Sequence, residues 1–365
     1  MKCYLVGGAV RDTLLGKTPT ERDWVVIGET PESMRALGYQ QVGKDFPVFL
    51  HPETKEEYAL ARREYNVGPG HTGFKFDTSA DISLEDDLVR RDLTVNAIAQ
   101  ASDGSLIDPC GGQADLKKRV FRHVSDAFTE DPLRILRLAQ FQARFEADGF
   151  RIDPQTLTLC RKMVAEGALV TLSKERIFKE LEKALGAPRP HAFFEVLEAI
   201  NAHKVLFQGL DPLGAHRLAP LYPEALPQEQ FARLMLESPN ADISILQTQM
   251  ALPKTWIELS EVTIELSAEI CRLPALTPEQ ILKVLHHADA RRKPIRFYTA
   301  VKIATAWGLP SEEDQRPITQ NWHRLAEQTA KITVNPAGTN LTGIEIRAAI
   351  EAEQLRVISD FDHSN

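Results

Sequence analysis

Apolar and polar positions alternate over short spans in the first third of the chain. "CYLVGG" (3–8), "DWVVIG" (23–28), "PVFLHP" (47–52) and "YALARRE" (58–64) are β-prone runs bounded by Gly, Pro, Asp and Glu, the pattern of short, half-buried strands. Between them, "AVRDTLLG" (9–16) and "TPESMRALGY" (30–39) carry helical spacing, the second with Thr30 as N-cap ahead of Pro31. From about Glu130 the period changes. In "PLRILRLAQFQARF" (132–145), "KERIFKELEKALG" (174–186) and "HAFFEVLEAI" (191–200) apolar residues recur every three or four positions, which predicts amphipathic helices to near the end. Prolines at 188, 190, 212, 220, 223 and 227 break this region into helical groups, and a pair at 274 and 278 precedes a basic final segment. The fold class expected is α+β, a small mixed sheet with helices followed by an all-helical remainder.

A length of 365 residues with 43% hydrophobic residues, 22 prolines and 20 glycines fits an ordinary folded chain of several sub-domains. Neither a leader-like apolar segment nor an uninterrupted run of 18 apolar residues occurs, so a cytoplasmic location and no membrane partner are expected. Cys3, Cys110, Cys160 and Cys271 lie far apart without a C-x-x-C pair, which signals neither zinc nor a disulfide framework. The net charge of −8 argues against a polyanionic partner until its distribution is considered. Residues 111–190 hold 15 Lys+Arg against 11 Asp+Glu, and a second cluster, Arg291, Arg292, Lys293, Arg296 and Lys302, is interleaved with Phe297 and Tyr298. Each cluster is either a solvated helix face or a surface for a phosphate backbone; two in one acidic chain favour the latter.

Candidate chemistry starts at residues 5–26, "LVGGAVRDTLLGKTPTERDWVV". Glu21 and Asp23 are two apart at the entrance of a strand, and residues i and i+2 of an extended chain share a face. They are either surface charges or a site for a hard cation such as Mg2+, which takes oxygen ligands and bridges to substrate phosphates. Gly7 and Gly8 end one strand and open a helix, where unblocked backbone N–H groups suit an anion, and Arg11 lies one turn on. Such a turn by itself is common. Followed within 15 residues by a carboxylate pair, it points to a triphosphate held beside its metals.

Four motifs, "GGAVRD" with the acidic pair, "RRDLTVNAIA" (90–99), "IDPCGG" (107–112) and "EDPLRILR" (130–137), resemble in order and spacing those of class II tRNA nucleotidyltransferases, the CCA-adding enzymes of the DNA polymerase β-like superfamily. The likeness spans about residues 1–180. It implies a catalytic head over 1–123 with a five-stranded or similar mixed sheet, a helical neck over 124–187 that selects the nucleotide, a helical body over 188–273 and a tRNA-binding tail over 274–365. It further implies that Gly8 and Arg11 contact the triphosphate and that Glu21 and Asp23 ligate Mg2+, although relatives usually carry aspartate at both positions. Two ions about 4 Å apart would activate the 3'-hydroxyl and stabilise pyrophosphate.

By the same resemblance Arg91 approaches phosphate and Asp92 reads the ribose 2'-hydroxyl. Asp131 and Arg134, placed on one helix face by their spacing of three, imitate a template base for CTP and ATP. Arg137 follows one turn later, and Gln140 stands where relatives often have arginine. The glycine-rich connection from Asn66 to Leu88 is implied to be a mobile loop that switches the pocket from CTP to ATP. "HHADA" (286–290) lacks the His-Asp spacing of a phosphohydrolase, so no such activity is expected. The expected function is template-independent addition of CCA to tRNA, with the acceptor and T arms as partner. Alternatives are a poly(A) polymerase, an enzyme adding only CC or only A, and an inactive RNA-binding relative.

Overall fold

The computed structural model describes residues 1–42, 48–66, 74–77, 79, 81–218, 220, 222, 224–238, 240–333 and 342–362. Contacts gather the chain into two units, Met1–Phe207 and Gln208–Asn365.

The first unit opens with β1 (Lys2–Val6), α1 (Gly8–Leu14), β2 (Asp23–Ile27), α2 (Pro31–Ala36), β3 (Gln40–Val42), β4 (Val48–Leu50) and β5 (Glu57–Leu60). After the two-stranded hairpin β6 (Arg63–Asn66) and β7 (Phe74–Asp77) come α3 (Leu84–Val89), β8 (Ala99–Gln100) and β9 (Leu106–Ile107). One sheet holds seven strands in the order β3-β4-β5-β2-β1-β8-β9. The resemblance implied five strands or so; β3, β8 and β9 are two or three residues long and lie outside the apolar runs of the sequence. The β2–β5 pair is parallel, and the other pairs in this sheet are antiparallel. The pleat sends Val6 and Val25 into a core with Ile82, Leu88 and Ala99, and Val26 into another with Met34, Phe49 and Leu60. Both faces of the central strands are therefore covered, as their continuous apolar runs require. Thr30 caps α2 as expected, its hydroxyl accepting from Ser33 N at 3.2 Å with Pro31 in the first turn.

The helical part of this unit comprises α4 (Gly112–Lys118), a parallel bridge of β10 (Val120–Phe121) with β11 (Arg151–Ile152), α5 (Leu133–Phe145), α6 (Pro154–Ala165), α7 (Lys174–Leu185), α8 (Pro190–Ala199) and α9 (His203–Leu206). Phe121, Phe141, Phe145 and Phe150 pack ring against ring under α5. α5 in turn packs on α7 and α8.

The second unit is helical: α10 (Pro212–His216), α11 (Pro227–Glu237), α12 (Ile243–Gln249), α13 (Lys254–Cys271), α14 (Pro278–His287), α15 (Pro294–Gly308), α16 (Glu312–Ala330) and α17 (Gly343–Ser359). Its core is built on α13 and α15 around Phe297 and Trp322, and the Trp322 indole N–H donates to Ile270 O at 3.0 Å. No helix among the described residues is long and apolar enough to cross a membrane.

Candidate active site

Strand register assembles the acidic pair with the glycine turn. β1 runs into Gly7 while β2 starts at Asp23, and their antiparallel pairing sets Val6 opposite Asp23. The carboxylates therefore stand beside the turn, where Gly7 has φ +68°, a conformation open chiefly to glycine. A Cβ on Gly7 would lie 3.1 Å from a terminal nitrogen of Arg91, so that guanidinium sits directly over the turn. Arg91 also bonds Asp87 at 3.0 Å.

The parallel register adds a residue that sequence reading missed. Glu57 opens β5 and pairs with Asp23, so the two share a face. Burial of its carboxyl, with the charges of Asp23 and Glu21, raises the Glu57 pKa. Asp23 is raised in the same way, by desolvation and by Glu21, with Arg91 and Arg137 pulling in the opposite direction. None of the three carboxylates forms an ion pair with a described residue. Among the described residues, one group of three potential metal ligands lies within 4.8 Å of one another, Glu146, His191 and Glu195 around α8; Glu21, Asp23 and Glu57 are more open than that. The only sequence signal for Glu57 was acidity at the start of an apolar run, which many surface residues share.

Arg11 was expected to face the triphosphate. The structure places it inside, 2% exposed, with its guanidinium 4.8 Å from the Phe145 ring centre and 5.1 Å from that of Phe141. It donates to Asp12 Oδ1 at 2.8 Å and to Asn96 Oδ1 at 2.7 Å. Asp12 also accepts from Arg144 at 2.8 Å, and Asn96 Nδ2 donates to Asp92 Oδ1 at 3.0 Å. Asp92, 7% exposed, completes the chain: Oδ1 also takes Leu93 N at 2.8 Å, and Oδ2 takes Arg137 Nε at 2.8 Å and its terminal nitrogen at 2.7 Å. Burial alone would raise the Asp92 pKa, but Arg137 and Asn96 outweigh it and hold the carboxyl well below the carboxylate range. A continuous polar network thus ties α1, the "RRDLTVN" turn and α5 together.

Asp131 and Arg134 do not share a helix face. Asp131 precedes α5 in extended conformation, φ −121° and ψ 106°, because a residue before proline is pushed out of the α region, and Pro132 follows it. That signal was present in the sequence. Its Oδ1 accepts from Leu133 N at 3.0 Å, at the start of α5, while Oδ2 accepts from Arg176 at 2.6 Å. Arg134, 8% exposed, donates to the carbonyls of Ala127 and Arg90, each at 2.7 Å. Gln140 is buried in α5. The glycines at 68, 70 and 73 of the implied switch loop lie outside the described residues.

The "IDPCGG" motif supports the network from behind. Asp108 accepts from the backbone N–H groups of Gly112 and Gln113 at 2.7 and 2.9 Å, and Thr94 donates to Asp115 at 2.7 Å. A Cβ on Gly112 would fall 2.2 Å from Thr94 O, so only glycine lets α4 close on the turn that carries Asn96.

Many basic residues are already committed to partners. In the first unit Arg137, Arg144 and Arg176 pair with Asp92, Asp12 and Asp131. In the second, Lys293 and Arg296 both reach Glu258, Arg292 bonds Asp289, and Lys302 lies over the Tyr222 ring. Arg291, Arg292 and Arg347 line a cavity of about 440 Å³ together with His286, Asp289 and Gln354.

Comparison with known proteins agrees with this geometry. The poly A polymerase head domain family matches residues 3–122, and residues 149–213 match the family described as "Probable RNA and SrmB- binding site of polymerase A". A "Multifunctional CCA protein" of Nitrosococcus oceani is 40% identical over 407 aligned positions, covering 100% of this chain and 99% of its own. The Bacillus stearothermophilus CCA-adding enzyme in complex with CTP superposes with TM-score 0.72 at 25% identity, over 98% of this chain and 88% of that one. The Thermotoga maritima CCA-adding enzyme complexed with tRNA, at 22% identity and TM-score 0.66 over 99% and 88%, shares the fold. A relative this similar along nearly its whole length, on a head of this topology, shows that the chain belongs to the class II CCA-adding enzymes.

Proposed function

We propose that the protein is a tRNA nucleotidyltransferase that adds and repairs the 3'-terminal CCA of tRNA from CTP and ATP, releasing pyrophosphate. The observation that carries this reading is the strand register that sets Asp23 and Glu57 side by side at the Gly7 turn. Nucleotidyl transfer in this family requires a divalent metal; Mg2+ is our assignment, since the donors are carboxylate oxygens. Glu21, Asp23 and Glu57 would hold it, and the raised pKa values of Asp23 and Glu57 fit groups that gain from a nearby cation. Bound there, the ion supplies charge for the triphosphate and activates the attacking hydroxyl.

The backbone N–H groups at Gly8, with Arg91 above Gly7, receive the triphosphate. Arg11 serves this site indirectly, by fixing Asn96 and through it Asp92, which accepts the ribose 2'-hydroxyl. Asp131 accepts the exocyclic amine of cytosine or adenine while Arg134, braced by two carbonyls, donates to the ring. Uracil and guanine present a carbonyl where the amine belongs, and would leave buried polar groups unpaired. The neck over 124–187, the body over 188–273 and the tail over 274–365 are our proposed divisions, with the arginine-lined cavity of the second unit facing the tRNA arms. A tRNA substrate supports the cytoplasm as the proposed location.

Incubation with labelled CTP or ATP and tRNA transcripts ending at the discriminator base, at C or at CC tests the reading. Incorporation of CCA followed by arrest is expected. Long A tracts would instead identify a poly(A) polymerase, addition of CC or A alone a partial enzyme, and tRNA binding without incorporation an inactive relative.

A further inference from the structure

Asp92 is crowded by donors. Its oxygens accept three hydrogen bonds, from Leu93 and Asn96 at Oδ1 and from Arg137 Nε at Oδ2, and a terminal nitrogen of Arg137 stands 2.7 Å from Oδ2 in the ion pair. A ribose hydroxyl that bonds Oδ2 competes there with the Arg137 guanidinium. The guanidinium, only partly exposed, is then drawn towards the next carboxylate within its field.

The acceptor is present on α7. Glu180 is 4% exposed. One carboxylate oxygen accepts from Lys183 Nζ at 3.1 Å, while the other, Oε2, is buried and has no hydrogen-bond partner among the described residues. Buried polar atoms are nearly always paired, and an exception calls for a physical reason. α7 packs on the helix that carries Arg137, and after Asp92 the charge of Glu180 is the strongest attraction acting on the Arg137 guanidinium.

We propose that Glu180 is the second acceptor of Arg137: when a ribonucleotide enters, the guanidinium pivots from Asp92 towards Glu180 Oε2 and frees a lone pair of Asp92 for the 2'-hydroxyl. The proposal rests on the assignment of Asp92 as the ribose reader. A deoxynucleotide brings no hydroxyl to fill the freed position, so the pivot leaves Asp92 short of a donor and the wrong sugar is disfavoured. Glu180 is thereby a positioning residue for sugar selection, acting through Arg137.

The ratio of kcat/KM for CTP over dCTP on a tRNA transcript ending at the discriminator base tests this. It is measured in one preparation, so any loss of folded enzyme cancels; equilibrium competition between CTP and dCTP gives a corresponding ratio without turnover. Glu180→Gln keeps the shape and removes the charge, and is expected to lower the preference about tenfold, as when a charge-assisted hydrogen bond becomes a neutral one. Lys183→Met, which removes the partner of the other oxygen, is expected to leave the preference intact. If the wild type discriminates, Asp92→Ala does not, and Glu180→Gln discriminates as well as the wild type, the Glu180 proposal falls while the Asp92 assignment stands. Equal losses in Glu180→Gln and Lys183→Met would also overturn it, by assigning the effect to the Lys183 contact. A wild type indifferent to the sugar overturns the Asp92 assignment and the proposal with it.

Discussion

Asp92 and Asp87 are buried and closely paired with arginine, whereas Asp23 and Glu57, partners across β2 and β5, form no ion pair with a described residue. The environments drive their acidities apart. For Asp92 and Asp87 burial opposes ionisation but is overruled by Arg137 and by Arg91 with Arg90, leaving both pKa values lowered. For Asp23 and Glu57 burial acts alongside neighbouring carboxylates, and both are raised. The first pair is completed by the chain itself and builds structure. The second has no such partner among the described residues, and its mutual repulsion fits the proposed role of holding a cation from solution.

Substitutions should separate the two. Asp23→Ala is expected to lower nucleotide incorporation on the order of 10³-fold or more, with tRNA affinity unchanged by filter binding; full activity would remove the metal assignment. Asp23→Asn should leave thermal stability equal to the wild type or slightly higher, since it removes a repelled charge. Arg137→Met should have the opposite effect, destabilising by about 1–3 kcal/mol because the buried Asp92 keeps only Leu93 N and Asn96 as partners. Adding Asp92→Asn to that variant should recover part of the loss in denaturant titrations; a cycle without coupling would mean that the pair is only a surface contact. Gly112→Ala should cost about 1–3 kcal/mol through overpacking against Thr94, and also lower activity, because the displaced turn carries Asn96.

Acid provides the finest division. With lowered folded-state values, the contribution of Asp92 and Asp87 to stability is fully present above the unfolded aspartate value of about 3.9 and is lost as pH falls through the folded ones. Asp23 and Glu57, with raised values, contribute stability that is fully present below their unfolded values and is lost as pH rises through the folded ones. They also take up protons before any unfolded carboxylate does, so metal-dependent activity should fade at a milder pH than the one at which circular dichroism reports unfolding. Coincident midpoints would show that the two sets are not distinct.

The apolar pattern announced β1, β2, β4, β5 and the helices beyond Glu130, and the capped start of α2 was legible down to Thr30 and Pro31. What it hid follows from physics that a linear reading does not carry. β3, β8 and β9 fall outside any apolar run, whereas β4, equally short, sits inside one. Glu57 becomes a site residue only through a parallel pairing to Asp23, 34 positions earlier. Arg11 was expected at the triphosphate, but Asp12, Asn96 and two phenylalanine rings enclose it. Asp131 was the avoidable error, since Pro132 already excluded it from the helix that follows.

The single parallel pair in the main sheet also has a kinetic meaning. β2 and β5 can zip only after the intervening strands and α2 have been threaded round, and such non-local pairing forms slowly because loop closure precedes any reward. The β1–β8 pair, which joins Leu5 to Gln100, spans still more of the chain. A chain that has not yet paired β5 with β2 lacks Glu57 beside Asp23, and with it one donor of the proposed cation site.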